Sequence, residues 1–157
     1  MVADLLGLAY FKRRPELGGL FLRLFIGFVL VYGTQDNVFH YERMLEFRAF
    51  LAENGFPYPM FSAYLSAYAQ FLAGLLILVG LATRYAALVM IVNFVVALAM
   101  VHVGLPFSAN IAPLAMLVGS VFLLFNGAGP YSLTSLLEKR RAVPPARHAK
   151  AAVVSKV

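Results

Sequence analysis

The sequence predicts an all-α protein: a four-helix transmembrane bundle with a short amphipathic helix in the outward loop between spans one and two. Three observations carry this reading. The chain is 62% hydrophobic and 13% charged, against about 45–50% apolar in soluble domains. Its apolar residues fall into four runs near the roughly 20 residues that cross a bilayer as a helix. No run shows the polar stripe that a soluble amphipathic helix would need. The clearest pair is Tyr64–His102, two apolar arms around the turn Gly80-Leu81-Ala82-Thr83-Arg84. Each arm holds one amide, Gln70 or Asn93, and the charge sits in the turn.

Residues 1–16 read as a cytoplasmic N-terminal leader, its first ten residues a short interfacial helix, with Lys12-Arg13-Arg14 before the first run. The long apolar run and the absence of a small-x-small site argue against a cleaved signal peptide. Span one covers about Leu17 to Thr34. Gly19, Arg23, Gly27 and Leu30 share one helical face, and small residues at that spacing admit a neighbouring helix closely. Arg23 lies about 9 Å into the span at ~1.5 Å per residue. That depth allows either snorkelling to the headgroups or a partner inside the bundle. Its position on the packing face favours an internal partner, for which Gln70 plus backbone or tyrosine groups are the expectation.

The stretch from Asp36 to Phe61 is the one sizeable loop. Within it, Tyr41–Glu53 sets Met44, Phe47 and Leu51 on one face and acidic residues on another. That pattern is an amphipathic helix lying on the membrane or capping the bundle. Asn54-Gly55 stops it, and Pro57 and Pro59 prevent its resumption. Span two, about Ser62 to Val79, places Ala63, Ala67, Gln70 and Gly74 on a narrow face. Span three, about Tyr85 to Val103, carries Asn93 and His102. Nine residues apart, these point half a turn apart on a straight helix and cannot share a site. Span four, about Ala109 to Asn126, has Ser108 and Asn110 as N-cap candidates and Pro113 in its first turn. Gly127-Ala128-Gly129-Pro130 breaks it, and Ser132–Arg141 reads as a short surface helix. Residues 17–137 thus form the membrane domain, and 138–157 a basic, disordered cytoplasmic tail.

Ten Lys and Arg fall on one side of four alternating spans and two, Arg43 and Arg48, on the other. This puts both termini in the cytoplasm. The basic residues read as topology signals and anionic-lipid contacts rather than as a nucleic-acid surface. The chain has no cysteine, which excludes thiol relays, Cys-ligated zinc and iron–sulfur clusters. His40 and His102 are too few to define a metal or haem site, so no metal is expected.

The motifs Leu22-Arg23-Leu24, Gly55-Phe56-Pro57-Tyr58-Pro59, Gly80–Leu88, Val101-His102 and Gly127–Leu133 occur in the order found in the DoxX family. From about Leu17 to Leu137 the chain resembles these small bacterial membrane proteins. The resemblance implies a four-helix bundle in the bacterial inner membrane, linked to quinone redox chemistry as a subunit of an oxidoreductase assembly. Arg23 and His102 match the family pattern. Where members often carry His-Gly followed by Lys, this chain has Tyr32-Gly33 and Asp36. Gln70 and Asn110 stand where acidic residues are common. An amide does not titrate, so proton transfer through those positions is not expected. The candidate ligand-binding residues are Arg23, Gln35, Asp36, Gln70, His102 and Asn110, with a quinone as the cofactor the resemblance implies. The alternatives are a non-catalytic interaction or assembly protein, or one that binds or transports lipid or a small molecule. The partners expected are the bilayer, a redox-complex protein and a second copy of the chain. No catalytic residue is assigned.

Overall fold

A computed structural model describes residues 9–142. After a single helical turn, Ala9–Lys12, six helices follow among the described residues: α1 (Glu16–Phe39), α2 (Tyr41–Glu53), α3 (Pro59–Val79), α4 (Thr83–Met100), α5 (Phe107–Asn126) and α6 (Leu133–Ala142). Helices α1, α3, α4 and α5 are long and apolar enough to span a membrane. They pack in the order α1, α3, α4, α5, and α5 closes back on α1. The core between them holds Ile26, Leu30, Ile77, Met90, Phe94 and Leu123. The outside of the bundle is also apolar: Phe21, Phe25, Phe28, Tyr32 and Phe125 are exposed. A surface of that kind is stable facing lipid tails and a liability facing water.

Close packing depends on the glycines at two contacts. Gly27 and Gly74 face each other across α1 and α3. A Cβ on Gly27 would lie 3.0 Å from the Gly74 carbonyl oxygen and 2.7 Å from Leu78 Cγ. A Cβ on Gly74 would lie 3.0 Å from the Gly27 carbonyl oxygen. One glycine from each of the small-residue faces expected on spans one and two is therefore at the α1–α3 contact, while Gly19, on the same expected face as Gly27, packs on Asn126 of α5. Gly119 on α5 similarly makes room for Ile26.

Helix α1 runs five residues beyond the expected end at Thr34. No glycine or proline interrupts it between Thr34 and Phe39, and the Thr34 hydroxyl donates back to the Leu30 carbonyl at 2.6 Å, a bond compatible with helix. Gln35 and Asp36 therefore sit on the last two turns of a helix, not in a loop. His40 is extended, at φ −123° and ψ 113°, and α2 begins at once. Met44 and Leu51, with Phe47, pack on Ala63 and Ala67 of α3, so α2 covers one end of the bundle. On its exposed side Arg43 donates to Glu46 at 2.8 Å. That hydrogen bond, then the charges of Glu46, Asp36 and Glu42, hold the guanidinium above its ordinary pKa.

The turn between α3 and α4 is short because Gly80 (φ 71°) caps α3 in the left-handed region. The Leu81 N–H bonds to the Leu76 carbonyl and the Gly80 N–H to the Ile77 carbonyl, the paired pattern of a Schellman end. Two boundaries differ from the sequence reading. Helix α4 stops at Met100, and α5 starts at Phe107. Pro113 therefore lies in the second turn of α5, not the first, and deprives the Ala109 carbonyl of its helical donor. Ser108 and Asn110 are not caps, since the N-cap position is Pro106. The surface helix expected at 132–141 is α6, which runs across the expected domain boundary at 137. Half of the expected leader, 1–8, and most of the tail, 143–157, lie outside the described residues.

Candidate functional site

The six sequence candidates divide between two ends of the bundle. At the α2 end, a cavity of about 860 Å³ opens between α2, α3 and α4. Its walls are mostly apolar and include Phe47, Phe50, Leu65, Val92 and Met100. A string of polar side chains crosses this wall. Gln70 Nε2 donates to Ser66 Oγ at 3.0 Å, and Ser66 Oγ donates to Asn93 Oδ1 at 2.9 Å. The string ties α3 to α4 and leaves the Asn93 amide N–H groups for a further acceptor.

His102 lines the same cavity. Its Nδ1 is buried and has no hydrogen-bond partner, and a buried polar atom in that state costs about 1–3 kcal/mol. Asn93 and His102 were expected to point apart. They share the cavity because α4 ends at Met100, so His102 belongs to the turn beyond it and the phase of a straight helix does not apply. His102 also brings the only imidazole among the lining residues. Ser66 is a member of the string that the sequence reading did not single out. It sits one turn before Gln70 on the same face, and that spacing was the available signal.

The other candidates lie elsewhere. Gln35 and Asp36 do not line the cavity. Asn110 turns its amide back to the carbonyls of Leu105 (3.3 Å) and Pro106 (3.2 Å), which steadies the loop before α5.

Arg23 is at the opposite, basic end. It is 3% exposed, so it does not snorkel. Its guanidinium donates through Nη1 to the Ala128 carbonyl and through Nη2 to the Tyr131 carbonyl at 2.8 Å. The backbone partners are thus those expected in kind, while Gln70 is not one of them, being committed to Ser66. Gly80 has no side chain here for good reason: a Cβ would come within 2.7 Å of Arg23 Nη1 and 2.5 Å of Ser132 Cβ. The Gly80 carbonyl accepts from both the Thr134 hydroxyl (2.8 Å) and the Thr134 N–H (3.2 Å). Arg23, the α3–α4 turn and the segment before α6 are in this way locked together.

Four apolar helices around one narrow core, with an amide-crossed cavity at one end and a buried arginine at the other, make this a multi-pass integral membrane protein. A family model, DoxX, matches residues 18–103; this is more than half of the chain, which therefore belongs to the DoxX family. The chain is 32% identical over 108 residues to Uncharacterized membrane protein Rv3486 of Mycobacterium tuberculosis. That match covers 59% of this chain and 66% of the relative, just under two thirds of the relative's length. No solved structure matches this chain.

Proposed function

We propose that the α2-end cavity binds the headgroup of a quinone and that the chain is a small membrane subunit of a quinone-linked oxidoreductase assembly. The observation that carries this reading is the polar string Gln70–Ser66–Asn93, with His102, on the wall of an otherwise apolar cavity. A quinone needs hydrogen-bond partners for two ring oxygens and an apolar groove for its tail. Asn93 offers amide N–H donors, and His102 offers a ring nitrogen, Nδ1, that has no hydrogen-bond partner. With glutamine rather than an acid at position 70, the string itself orients a ring and does not carry protons. The redox chemistry belongs to the quinone and to a partner protein. The ten-to-two distribution of basic residues supports an arrangement with both termini cytoplasmic in the bacterial inner membrane, and the cavity then opens near the outer leaflet.

The test is extraction and quantification of quinone from the protein purified in mild detergent, alongside Gln70→Leu and Asn93→Leu. Quinone retained by the native chain and depleted in both variants is the expected result. Quinone no higher than in an unrelated membrane protein of similar size defeats the reading. Retention of phospholipid alone in that case favours the lipid-binding alternative, and a stable protein partner without cofactor favours an assembly role.

A further inference from the structure

The basic end of the bundle holds a second cavity, of about 450 Å³, between the first turn of α4, the Asn126–Gly129 bend and the start of α6. We propose that this cavity binds a phosphate group, held by the uncapped N-terminus of α4, the Thr83 hydroxyl and the Arg84 guanidinium. Four observations converge on it. Helix α4 is 18 residues long, and its N-cap, Ala82, has no side chain to accept from the first-turn N–H groups. The Tyr85 N–H already donates to the Ala82 carbonyl at 3.0 Å, so it is the Thr83 and Arg84 N–H groups, with the helix dipole, that favour an anion. Thr83 forms part of the cavity wall, is 3% exposed, and its Oγ1 is buried with no hydrogen-bond partner.

Arg84 lies against Gly127 at the same wall, where a Cβ on Gly127 would come 3.2 Å from its Nε. Arg84 makes no ion pair with a carboxylate among the described residues. Arg23 stands behind the wall. Its guanidinium bonds to the Ala128 carbonyl, and Ala128 lines the cavity. The guanidinium is held by two carbonyls through Nη1 and Nη2, its Nε is buried with no hydrogen-bond partner, and its charge has no carboxylate beside it among the described residues. An anion in the cavity would balance that charge across one peptide group.

The chemistry selects a phosphate over a carboxylate partner. The wall offers donors of three kinds, backbone N–H, hydroxyl and guanidinium, and a phosphate has the acceptor oxygens to take all three. One acid, Glu138, lines the cavity and is exposed. It opposes an anion and sets a ceiling on affinity. The phosphate has two chemical sources, the headgroup of an anionic phospholipid and free inorganic phosphate. The nearby Lys139, Arg140 and Arg141 on α6 would draw either one.

The test uses the full chain purified in neutral detergent and three probes: short-chain phosphatidylglycerol, short-chain phosphatidylcholine and inorganic phosphate. Binding is read by native mass spectrometry and by the rise in Tm. Arg84 is exposed, so Arg84→Gln leaves the packing intact; it should weaken binding roughly tenfold or more, as expected for a charged hydrogen bond. Thr83→Val should weaken it about fivefold, and Glu138→Gln should strengthen it. Arg43→Gln, at the other end of the bundle, should change nothing. Phosphatidylglycerol bound in preference to the zwitterionic lipid, and not displaced by phosphate, identifies a lipid headgroup site. Displacement by millimolar phosphate identifies free phosphate. Equal binding of every probe by the native chain and Arg84→Gln, or no binding of phosphatidylglycerol or phosphate by the native chain, overturns the proposal.

Discussion

Gly27→Ala should destabilise the bundle although alanine is the better helix former. The perturbation is one methyl group, and the structure says what it meets. Its Cβ would be 3.0 Å from the Gly74 carbonyl oxygen, 3.0 Å from the Leu78 backbone nitrogen and 2.7 Å from Leu78 Cγ. Leu78 Cγ can rotate away; the two backbone atoms move only with helix α3. Ordinary carbon contacts lie near 3.5–4.0 Å, so α1 and α3 must separate by roughly half an ångström. Their separation loosens the core residues Ile26, Leu30 and Ile77, which lie along the same contact. Overpacking of this kind costs about 1–3 kcal/mol. Replacing glycine by alanine within a helix returns about 1 kcal/mol. The clean comparison is therefore with Gly18→Ala and Gly33→Ala on the same helix, where a Cβ meets nothing within 4 Å. Those two should be neutral or mildly stabilising. Gly27→Ala should fall below them by about 1–3 kcal/mol, measured by reversible unfolding in mixed detergent. Equal stability of all three variants would refute the close approach of α1 and α3 at this point.

Two further outcomes are expected. Arg23→Gln should cost roughly 2–4 kcal/mol, because the Ala128 and Tyr131 carbonyls both lose a charged donor; Arg23→Lys should recover only part, since one ammonium lacks the planar fork, and full recovery in a detergent melt would contradict the two-carbonyl geometry. For topology, reporters fused at Ala142 and at Glu53 should report cytoplasm and exterior respectively, and the same side for both would remove the proposed orientation.

The helices and their packing faces were legible because they rest on length, apolarity and periodicity, which the bilayer enforces along the whole span. The stripe Gly19, Arg23, Gly27, Leu30 and the stripe Ala63, Ala67, Gln70, Gly74 needed only a count of residues, and Gly27 and Gly74 do meet. Boundaries were less legible. Span one reads as ending at Thr34 and the loop as starting at Asp36, yet α1 continues to Phe39; polarity near an interface does not break a helix when no glycine or proline follows. The opposite error at the C-terminal end of α4, expected to run to Val103 but ending at Met100, separated Asn93 from His102. A site assembled across a helix end cannot be found by helical phase, because the phase stops where the helix does.

The partners of Arg23 show a different limit. A search for acceptors among side chains leads to Gln70, the one amide on a facing stripe. The real acceptors are carbonyls 105 and 108 residues away, and a carbonyl has no residue signature. A physical rule would still have narrowed the choice. Inside a helix every carbonyl is already committed to the N–H four residues on, so a buried arginine in a membrane bundle must find its acceptors where a helix has ended. Arg23 lies near the basic end, and two helix breaks fall at that end: the turn at Gly80–Ala82 and the segment Gly127–Ser132. The first spends its Gly80 carbonyl on Thr134. The second supplies Ala128 and Tyr131, and the two glycines within it, Gly127 and Gly129, both at φ 71°, let the backbone turn those carbonyls toward α1. Read this way, the Gly-Ala-Gly-Pro break is the counterpart of the arginine rather than a passive linker. It also fixes the wall of the cavity in front of Thr83 and Arg84, so the same backbone segment that gives the buried cation two carbonyl acceptors leaves its charge for an anion to balance.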